Sequence, residues 1–231
     1  MLLFIIGGMQ KITLLDYPQK IASIVFTQGC NFRCGYCHNP ELLTSENENL
    51  YSPEEYLEFL KTRKGKLDGV VITGGEPTIQ SGLKNYIKAI KELGFLVKLD
   101  TNGTNPKIIK ELLDENLIDY IAMDIKAPLE RYITVTGVNT DTKKIKESIN
   151  IILNSSIDYE FRTTVIKSQL SEQDFEQIGK LIKGAKKYYL QKFVPSKILN
   201  ENLRTEETYT NEEFTHICEK LKKYVKVTDF R

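Results

Sequence analysis

Short apolar runs rich in β-branched residues alternate along this chain with segments of helical period. The runs that predict strands are IASIVFTQ (21–28), GVVITG (69–74), FLVKLDT (95–101), YIAMDIK (120–126), YEFRTTVI (159–166), YYLQKFV (188–194) and VKVTDF (225–230). The helical segments between them cover residues 53–63, 81–94, 105–116, 140–154, 171–187 and 210–224. A strand followed by a helix, repeated about six times, predicts a parallel sheet with crossover helices.

The fold class is therefore α/β. The strands form either an open doubly wound sheet or a complete or partial barrel. A full (β/α)8 barrel averages about 250 residues. Six or seven strands in 231 residues fit a partial (β/α)6 barrel of parallel strands, open on one side. We expect a single domain over residues 1–231, with a core at about 20–200, a short N-terminal strand in MLLFIIGG (1–8) and a C-terminal helix plus strand.

From the charge balance we expect neither a nucleic-acid partner nor a membrane. Lys+Arg total 32 and Asp+Glu total 31, a formal net charge of +1 that gives no argument for nucleic acid or an acidic membrane. No apolar stretch approaches the roughly 18 residues of a membrane span, and the N-terminus lacks the basic start of a secretory signal. We expect a cytoplasmic protein, where thiols stay reduced and clustered cysteines indicate metal or redox chemistry.

Three of the four cysteines lie close together, at Cys30, Cys34 and Cys37. A disulfide is disfavoured by the compartment and by the odd number of thiols. The sequence from Cys34 to His38 also matches the C-x-x-C-H pattern of covalent haem, but that group goes with export and leaves Cys30 unexplained. A structural zinc closed by His38 or Cys218 is a fairer alternative. However, neighbouring Cys37 and His38 rarely face one ion, and Cys218 follows the apolar rhythm of its helix.

An iron–sulfur cluster explains why the thiols number three. A cubane cluster has four irons, and ferredoxin-type sites supply four thiolates. Three thiolates leave one iron open to a small molecule, as a catalytic zinc keeps an open position. Phe32 and Tyr36 lie between the cysteines, and aromatic bulk there would exclude water and tune the potential of the cluster.

The C-x3-C-x2-C spacing, with an aromatic residue before the last cysteine and directly after a strand, resembles the radical S-adenosylmethionine (SAM) superfamily. GGEP (74–77) resembles the motif that binds the amino group of the methionine moiety in that family. DTNG (100–103) and MDIK (123–126) resemble strand-end motifs of its glycyl-radical enzyme activases. CHNPE (37–41) and DYPQKIASIVFTQGC (16–30) are similar to the activating proteins of anaerobic ribonucleoside-triphosphate reductase and to the related pyruvate formate-lyase activating enzymes.

The resemblance implies a [4Fe–4S] cluster held by Cys30, Cys34 and Cys37, with SAM on the fourth iron. One electron from a low-potential donor such as flavodoxin or ferredoxin would cleave SAM to a 5′-deoxyadenosyl radical. That radical would take a hydrogen atom from a glycine of a partner enzyme, most specifically anaerobic ribonucleotide reductase. Two alternatives stay open: a radical SAM enzyme that acts on a small molecule, similar to carboxy-deazaguanine synthases, and a zinc-stabilised binding module.

The residues expected to bind SAM lie at the ends of successive strands. They are Tyr36, Gly74, Gly75, Glu76, Asp100, Asp124, Lys126 and Arg162. The two glycines would let the backbone approach the amino acid moiety closely. Glu76 would accept its ammonium group, and Lys126 would pair with a carboxylate. Asp100, together with Thr101, would hold the ammonium group, a ribose hydroxyl or a small cation.

Four side chains near these motifs have two interpretations each. Strand alternation places Arg162 and Thr164 on one face, which is either the interior of the barrel or the solvent side. An interior Arg162 would meet the carboxylate or the adenosyl group of SAM. Gln191 has the same ambiguity, and His38 would contact the nucleotide or the partner, or else stabilise its turn.

Overall fold

The structure is a computed structural model that describes residues 4–43 and 50–231, so the first three residues of the predicted N-terminal strand lie outside it. The strands are β1 (Ile6–Thr13), β2 (Ala22–Thr27), β3 (Gly69–Gly74), β4 (Leu96–Thr101), β5 (Tyr120–Asp124), β6 (Asp158–Val165), β7 (Lys187–Lys192) and β8 (Val227–Phe230). The helices are α1 (Pro53–Lys61), α2 (Leu83–Glu92), α3 (Pro106–Asp114), α4 (Tyr132–Thr136), α5 (Thr142–Leu153), α6 (Glu172–Leu181) and α7 (Asn211–Leu221).

The strands form one sheet in the order β1 to β8. β1 runs antiparallel to β2, whereas β2, β3 and β4 are parallel, as are β6, β7 and β8. A doubly wound sheet reverses its strand order at a switch point, and this sheet does not. The α/β prediction is confirmed: β2 to β7 are the six predicted core strands, and β1 and β8 are the two edges of an open sheet.

Residue contacts divide the chain into two compact units. The first unit comprises Met1–Asn31, Glu41–Thr101 and Lys107–Ile121, and the second comprises Phe32–Pro40, Asn102–Pro106 and Ala122–Arg231. The expectation of a single domain over residues 1–231 stays a prediction. Among the described residues, no helix combines the length and apolar character that a membrane crossing requires.

The first unit is built around β3, where Val70, Val71 and Ile72 have no exposed surface. Parallel strands covered on both faces have this continuous apolar character, and each such side chain stabilises the fold by about 1.5–3 kcal/mol. One apolar cluster consists of Tyr17, Ala22, Ile24, Val71 and Tyr120, with Leu96 and Phe26 packed against it.

The second unit contains α4 to α7 with β6, β7 and β8. Capping boxes start α6 and α7: Ser171 pairs reciprocally with Asp174, and Thr210 pairs with Glu213. Cys218 lies in the apolar face of α7, and burial raises the pKa of its thiol to about 11. This position agrees with the predicted structural role of Cys218.

Candidate active site

The glycine-rich turn after β3, which we name the Glu76 turn (residues 74–77), bonds to the chain just before the first cysteine. The Gly75 amide donates to the Thr27 carbonyl oxygen at 2.9 Å, and the Glu76 amide donates to the Gly29 carbonyl oxygen at 2.8 Å. A Cβ atom on Gly75 would stand 1.9 Å from that Gly29 oxygen. The close approach predicted for these glycines is therefore made, in the structure, to the protein's own backbone.

The Glu76 carboxylate is fully buried and oriented by uncharged donors. Its Oε1 accepts hydrogen bonds from the Thr78 amide at 3.0 Å, the Thr78 hydroxyl at 2.5 Å and the Thr101 hydroxyl at 2.7 Å. These three donors fix the position of the carboxylate without neutralising its charge. The acceptance of an ammonium group by Glu76 stays a prediction. Sequence reasoning missed Thr78, although an acidic residue two positions before a threonine is typical of a capped turn.

The carboxylate of Asp100, at the end of β4, forms an ion pair with the ammonium group of Lys98. Lys98 belongs to the same strand and is 2% exposed. Sequence reasoning missed this lysine. The available signal was a lone charge inside the otherwise apolar start of a central strand, where lysine is rarely buried without a partner.

In the second unit, β5 and β6 bring together three predicted residues that we name the Asp124 cluster: Asp124, Lys126 and Arg162. The Arg162 Nε donates to Asp124 Oδ1 at 2.8 Å, and Lys126 Nζ donates to Oδ2 at 3.1 Å. Arg162 is 11% exposed, so its alternative role as a solvated surface arginine does not hold. Burial alone would raise the pKa of Asp124, but the two cations hold it well below its usual range.

The cysteine loop of the second unit lies beside this cluster. The Cys34 thiol is buried, which raises its pKa, while the positive charge of Lys126 acts in the opposite direction. The Tyr36 ring centroid is 5.7 Å from Lys126 Nζ. Tyr36 is 4% exposed. Its hydroxyl is the one buried side-chain polar atom without a hydrogen-bond partner in the part of the chain that the structure describes.

Two segments from later in the chain support the cysteine loop. The Arg33 amide donates to the Thr136 carbonyl oxygen in α4 at 2.8 Å, and the Asn200 amide donates to the Gly35 carbonyl oxygen at 2.9 Å. The exposed His38 places Nδ1 3.4 Å from the Ser196 hydroxyl. Its two interpretations, contact with the nucleotide or partner and stabilisation of its turn, stay predictions.

A model of the radical SAM superfamily matches residues 24–182 of this sequence. This chain belongs to the radical SAM superfamily. The matched range contains all three clustered cysteines, the Glu76 turn and the Asp124 cluster. The superfamily uses a [4Fe–4S] cluster and SAM, so these are the cofactors of this radical SAM protein, and it is an oxidoreductase.

Two curated relatives extend over most of the protein. A Methanocaldococcus jannaschii protein with the provisional name glycyl-radical enzyme activating enzyme MJ1227 is 32% identical over 96% of this chain and 93% of its own length. The pyruvate formate-lyase-activating enzyme of Clostridium pasteurianum is 26% identical over 85% of this chain and 84% of its own length.

The solved structure of Streptococcus suis SuiB bound to SAM shares the fold of this radical SAM protein. It has a TM-score of 0.66 and 16% identity, covering 88% of this chain. The matched part is 48% of the SuiB chain, so this chain spans about half of that protein's length.

The donor set of the cysteine motif, the three thiols of Cys30, Cys34 and Cys37, suits an iron–sulfur cluster, in which each thiolate binds a different iron. Among residues 4–43 and 50–231, no group of three or more histidine, cysteine, aspartate or glutamate side chains is arranged to hold a single metal ion. The unpartnered Tyr36 hydroxyl beside buried Cys34 is a further sign of a missing polar neighbour.

Proposed function

We propose that this radical SAM protein generates a glycyl radical on a partner enzyme, and that the partner is anaerobic ribonucleotide reductase. The similarity to an activating enzyme over 96% of this chain carries the proposal, because it includes the strands and loops outside the cysteine motif. The segments CHNPE (37–41) and DYPQKIA (16–22) support the choice of ribonucleotide reductase.

In this proposal the thiolates of Cys30, Cys34 and Cys37 hold the cluster. When bound, the cluster and SAM supply a 5′-deoxyadenosyl radical by one-electron cleavage of a C–S bond. A low-potential flavodoxin or ferredoxin in the cytoplasm is the proposed source of the electron. The protein contributes placement of the reacting atoms and exclusion of water.

We propose separate roles for Glu76 and Lys126 towards the amino acid moiety of SAM. Glu76, held by uncharged donors, would accept the ammonium group of SAM. In the Asp124 cluster two cations share one carboxylate. The ammonium group of Lys126 has three donors, and its bond to Asp124 uses one of them. Lys126 would therefore bind the carboxylate of SAM while keeping its bond to Asp124.

The Tyr36 hydroxyl would gain its hydrogen-bond partner when the cofactors bind. A buried hydroxyl without a partner costs about 1–3 kcal/mol, and the cost disappears when an acceptor is supplied. Its ring, beside Lys126 and buried, also keeps water from this part of the site.

The test is anaerobic incubation of the reconstituted protein with SAM, a reductant and purified anaerobic ribonucleotide reductase. We expect a glycyl radical signal in the electron paramagnetic resonance spectrum and one 5′-deoxyadenosine per radical formed, within error. A partner variant whose radical glycine is replaced by alanine is the control, and it should give no such signal. Absence of the radical with ribonucleotide reductase, but its appearance on pyruvate formate-lyase, would contradict the choice of partner.

A small-molecule substrate is the alternative outcome of the same experiment. In that case SAM cleavage would proceed without a radical on either glycyl-radical enzyme, and would be stimulated by a compound such as the precursor of carboxy-deazaguanine. The proposed activase function would then be wrong, whereas the membership of the superfamily would be unaffected.

A further inference from the structure

Helix α4 of the second unit ends at Gly137, directly against the cysteine loop. The backbone of Gly137 is left-handed, with a φ of +69°, and its amide donates to the Ile133 carbonyl oxygen at 3.0 Å. Glycine is the residue that most often ends a helix in this conformation. The neighbouring loop adds a second restriction, because it leaves no room for a side chain.

A Cβ atom at position 137 would collide with the backbone of the loop. It would stand 2.7 Å from the carbonyl oxygen of Arg33 and 3.3 Å from the carbonyl carbon. This carbonyl group is bonded directly to the nitrogen of Cys34. On the other side of the same residue, the Arg33 amide donates to the Thr136 carbonyl oxygen at 2.8 Å. The end of α4 therefore contacts the peptide groups before and after Arg33, and it fixes where the chain enters Cys34.

Two further contacts extend this placement along the loop. The Phe32 ring meets the Tyr132 ring of α4 edge-on, with the centroids 6.4 Å apart. The Cys37 amide donates to the Cys34 carbonyl oxygen at 3.0 Å, so these two cysteines belong to one turn. A shift of the chain at Arg33 would consequently move the turn that carries both thiols.

The helix is the more firmly held side of this contact. Its buried side chains, each at most 3% exposed, are Tyr132, Val135 and Thr136. Arg131, just before the helix, forms an ion pair with Asp174 in the first turn of α6. Displacement of α4 would therefore disturb apolar packing and an ion pair together.

The cysteine loop is the less buried side. Arg33 and His38 are exposed, and Cys37 is partly exposed. Since burial stabilises a segment in proportion to the apolar surface removed from water, moving the loop costs less than moving α4. A collision at position 137 would displace the loop, and Cys34 with it.

We propose that Gly137 is a positioning residue of the cluster site. Its missing side chain lets the end of α4 hold the Arg33–Cys34 peptide group where the Cys34 thiolate can bind iron. Groups that orient a metal ligand from outside commonly change the affinity for the metal by about 10–100-fold. This inference rests on the proposed role of Cys34 as a cluster ligand, and it extends the cluster site to a helix end far from the cysteine motif in sequence.

The test compares substitutions at Gly137 with a matched one at Gly65. Gly65 is also left-handed, with a φ of +74°, but nothing lies within 4 Å of a Cβ atom placed on it. Gly65→Ala therefore has the backbone cost of Gly137→Ala without the collision. Asparagine tolerates the left-handed conformation better than alanine does, so Gly137→Asn keeps the collision at a smaller backbone cost.

Each protein is loaded with the cluster under anaerobic conditions, and the transfer of iron to a chelator is followed by absorbance. Relative to the wild type, we expect iron release to be about tenfold faster in both Gly137 variants and to change by less than about twofold in Gly65→Ala. The electron paramagnetic resonance spectrum of the reduced cluster should change in the Gly137 variants alone. A merely structural role of Gly137 would lower the stability of the protein and leave that spectrum unchanged.

Hydrogen exchange in the wild-type apoprotein tests the same contact without any variant. The bond from the Arg33 amide to Thr136 must open before this amide can exchange. We expect the Arg33 amide to exchange at least about tenfold more slowly than in an unstructured peptide. Nuclear magnetic resonance resolves this single amide.

A folded Gly137→Asn protein with the iron release and the spectrum of the wild type would overturn the proposal. An unprotected Arg33 amide in the folded apoprotein would overturn it as well, and this result decides the matter if neither Gly137 variant folds. Equal iron content in the wild-type protein and in Cys34→Ala is a different outcome. It would defeat the proposed function, and with it the basis of this inference.

Discussion

The Glu76 turn and the Asp124 cluster both orient a carboxylate, which is fully buried at Glu76 and 25% exposed at Asp124, but they do so by different means. Glu76 is fixed by neutral donors on a turn whose glycine touches the neighbouring backbone. Asp124 is fixed by a guanidinium and an ammonium group. The first arrangement depends on the shape of the backbone, and the second depends on charge. Substitutions of similar size should therefore have different consequences in the two regions.

The largest effect is expected at the cysteine loop beside the Asp124 cluster. Cys34 and Cys218 are both 6% exposed, so burial alone does not distinguish them. Cys34→Ala should lower SAM cleavage to background, because one iron of the cluster loses its thiolate. Cys218→Ala should keep most of the cleavage, because it removes only a packing contact in α7. Iron and sulfide analysis with 5′-deoxyadenosine assays checks both variants, and equal losses would contradict the assignment of the thiols.

The next largest effect is expected from a single methyl group in the Glu76 turn. Gly75→Ala forces a Cβ atom to within 1.9 Å of a backbone oxygen. We expect a loss of about 3 kcal/mol or more in the free energy of unfolding, since backbone must move. Gly8→Ala is the control, because its Cβ would meet only ordinary contacts at 3.5 Å from Phe26. Denaturant titration of the two apoproteins measures the difference, and similar stabilities would show that the turn adjusts.

In the Asp124 cluster, removal of the negative charge of Asp124 should lower the stability of the protein. Asp124→Asn leaves Lys126 and Arg162 buried without their anion, so the free energy of unfolding should fall by about 3 kcal/mol. The folded-state pKa of Asp124 is lowered, so its contribution is present above the unfolded value near 4 and is lost as the pH falls through the folded pKa.

The stability difference between the wild-type protein and Asp124→Asn should accordingly stay constant from about pH 7 to 5 and shrink below about pH 4. Chemical denaturation at each pH measures it. A difference that changes between pH 7 and 5 would contradict the role of the ion pairs. No comparable dependence on Asp124 protonation is expected for the Gly75→Ala effect, which is steric.

The smallest effect on stability is expected at Tyr36. The sign of the change should differ between Tyr36→Phe and the same substitution at the neighbouring Tyr132. Tyr36→Phe removes an unpartnered hydroxyl, so the apoprotein should keep its stability or gain up to about 1 kcal/mol. Tyr132→Phe should lose about 1 kcal/mol, because the Lys126 amide donates to the Tyr132 hydroxyl at 3.2 Å. Thermal denaturation of the apoproteins checks the signs, and a clear loss in Tyr36→Phe would mean that the hydroxyl has a partner.

The positions of the strands followed directly from the sequence. Apolar β-branched runs predict strands because only they suit a sheet buried on both faces, and each core strand lies within two residues of its predicted bounds. Alternation also placed Arg162 and Thr164 on one face. It did not tell which face was buried, because that depends on Asp124, a residue far away in sequence.

Other features of the site had weak signals in the sequence. α4 has five residues, too few to show a helical period, although it supports the cysteine loop. The need for Gly75 arises from contact with residue 29, which no local pattern reveals. Lys98 is the one charged residue in the apolar first half of β4, and its burial became visible only with the packing around Tyr120.

The support of the cysteine loop has a consequence for biosynthesis. Arg33 and Gly35 bond to Thr136 and Asn200, residues that leave the ribosome long after the loop itself. A nascent chain therefore displays its thiols before the bonds that shape the loop can form. Delivery of iron and sulfide by an assembly machinery should then follow the completion of translation through Asn200, and earlier delivery would meet a loop with no fixed form.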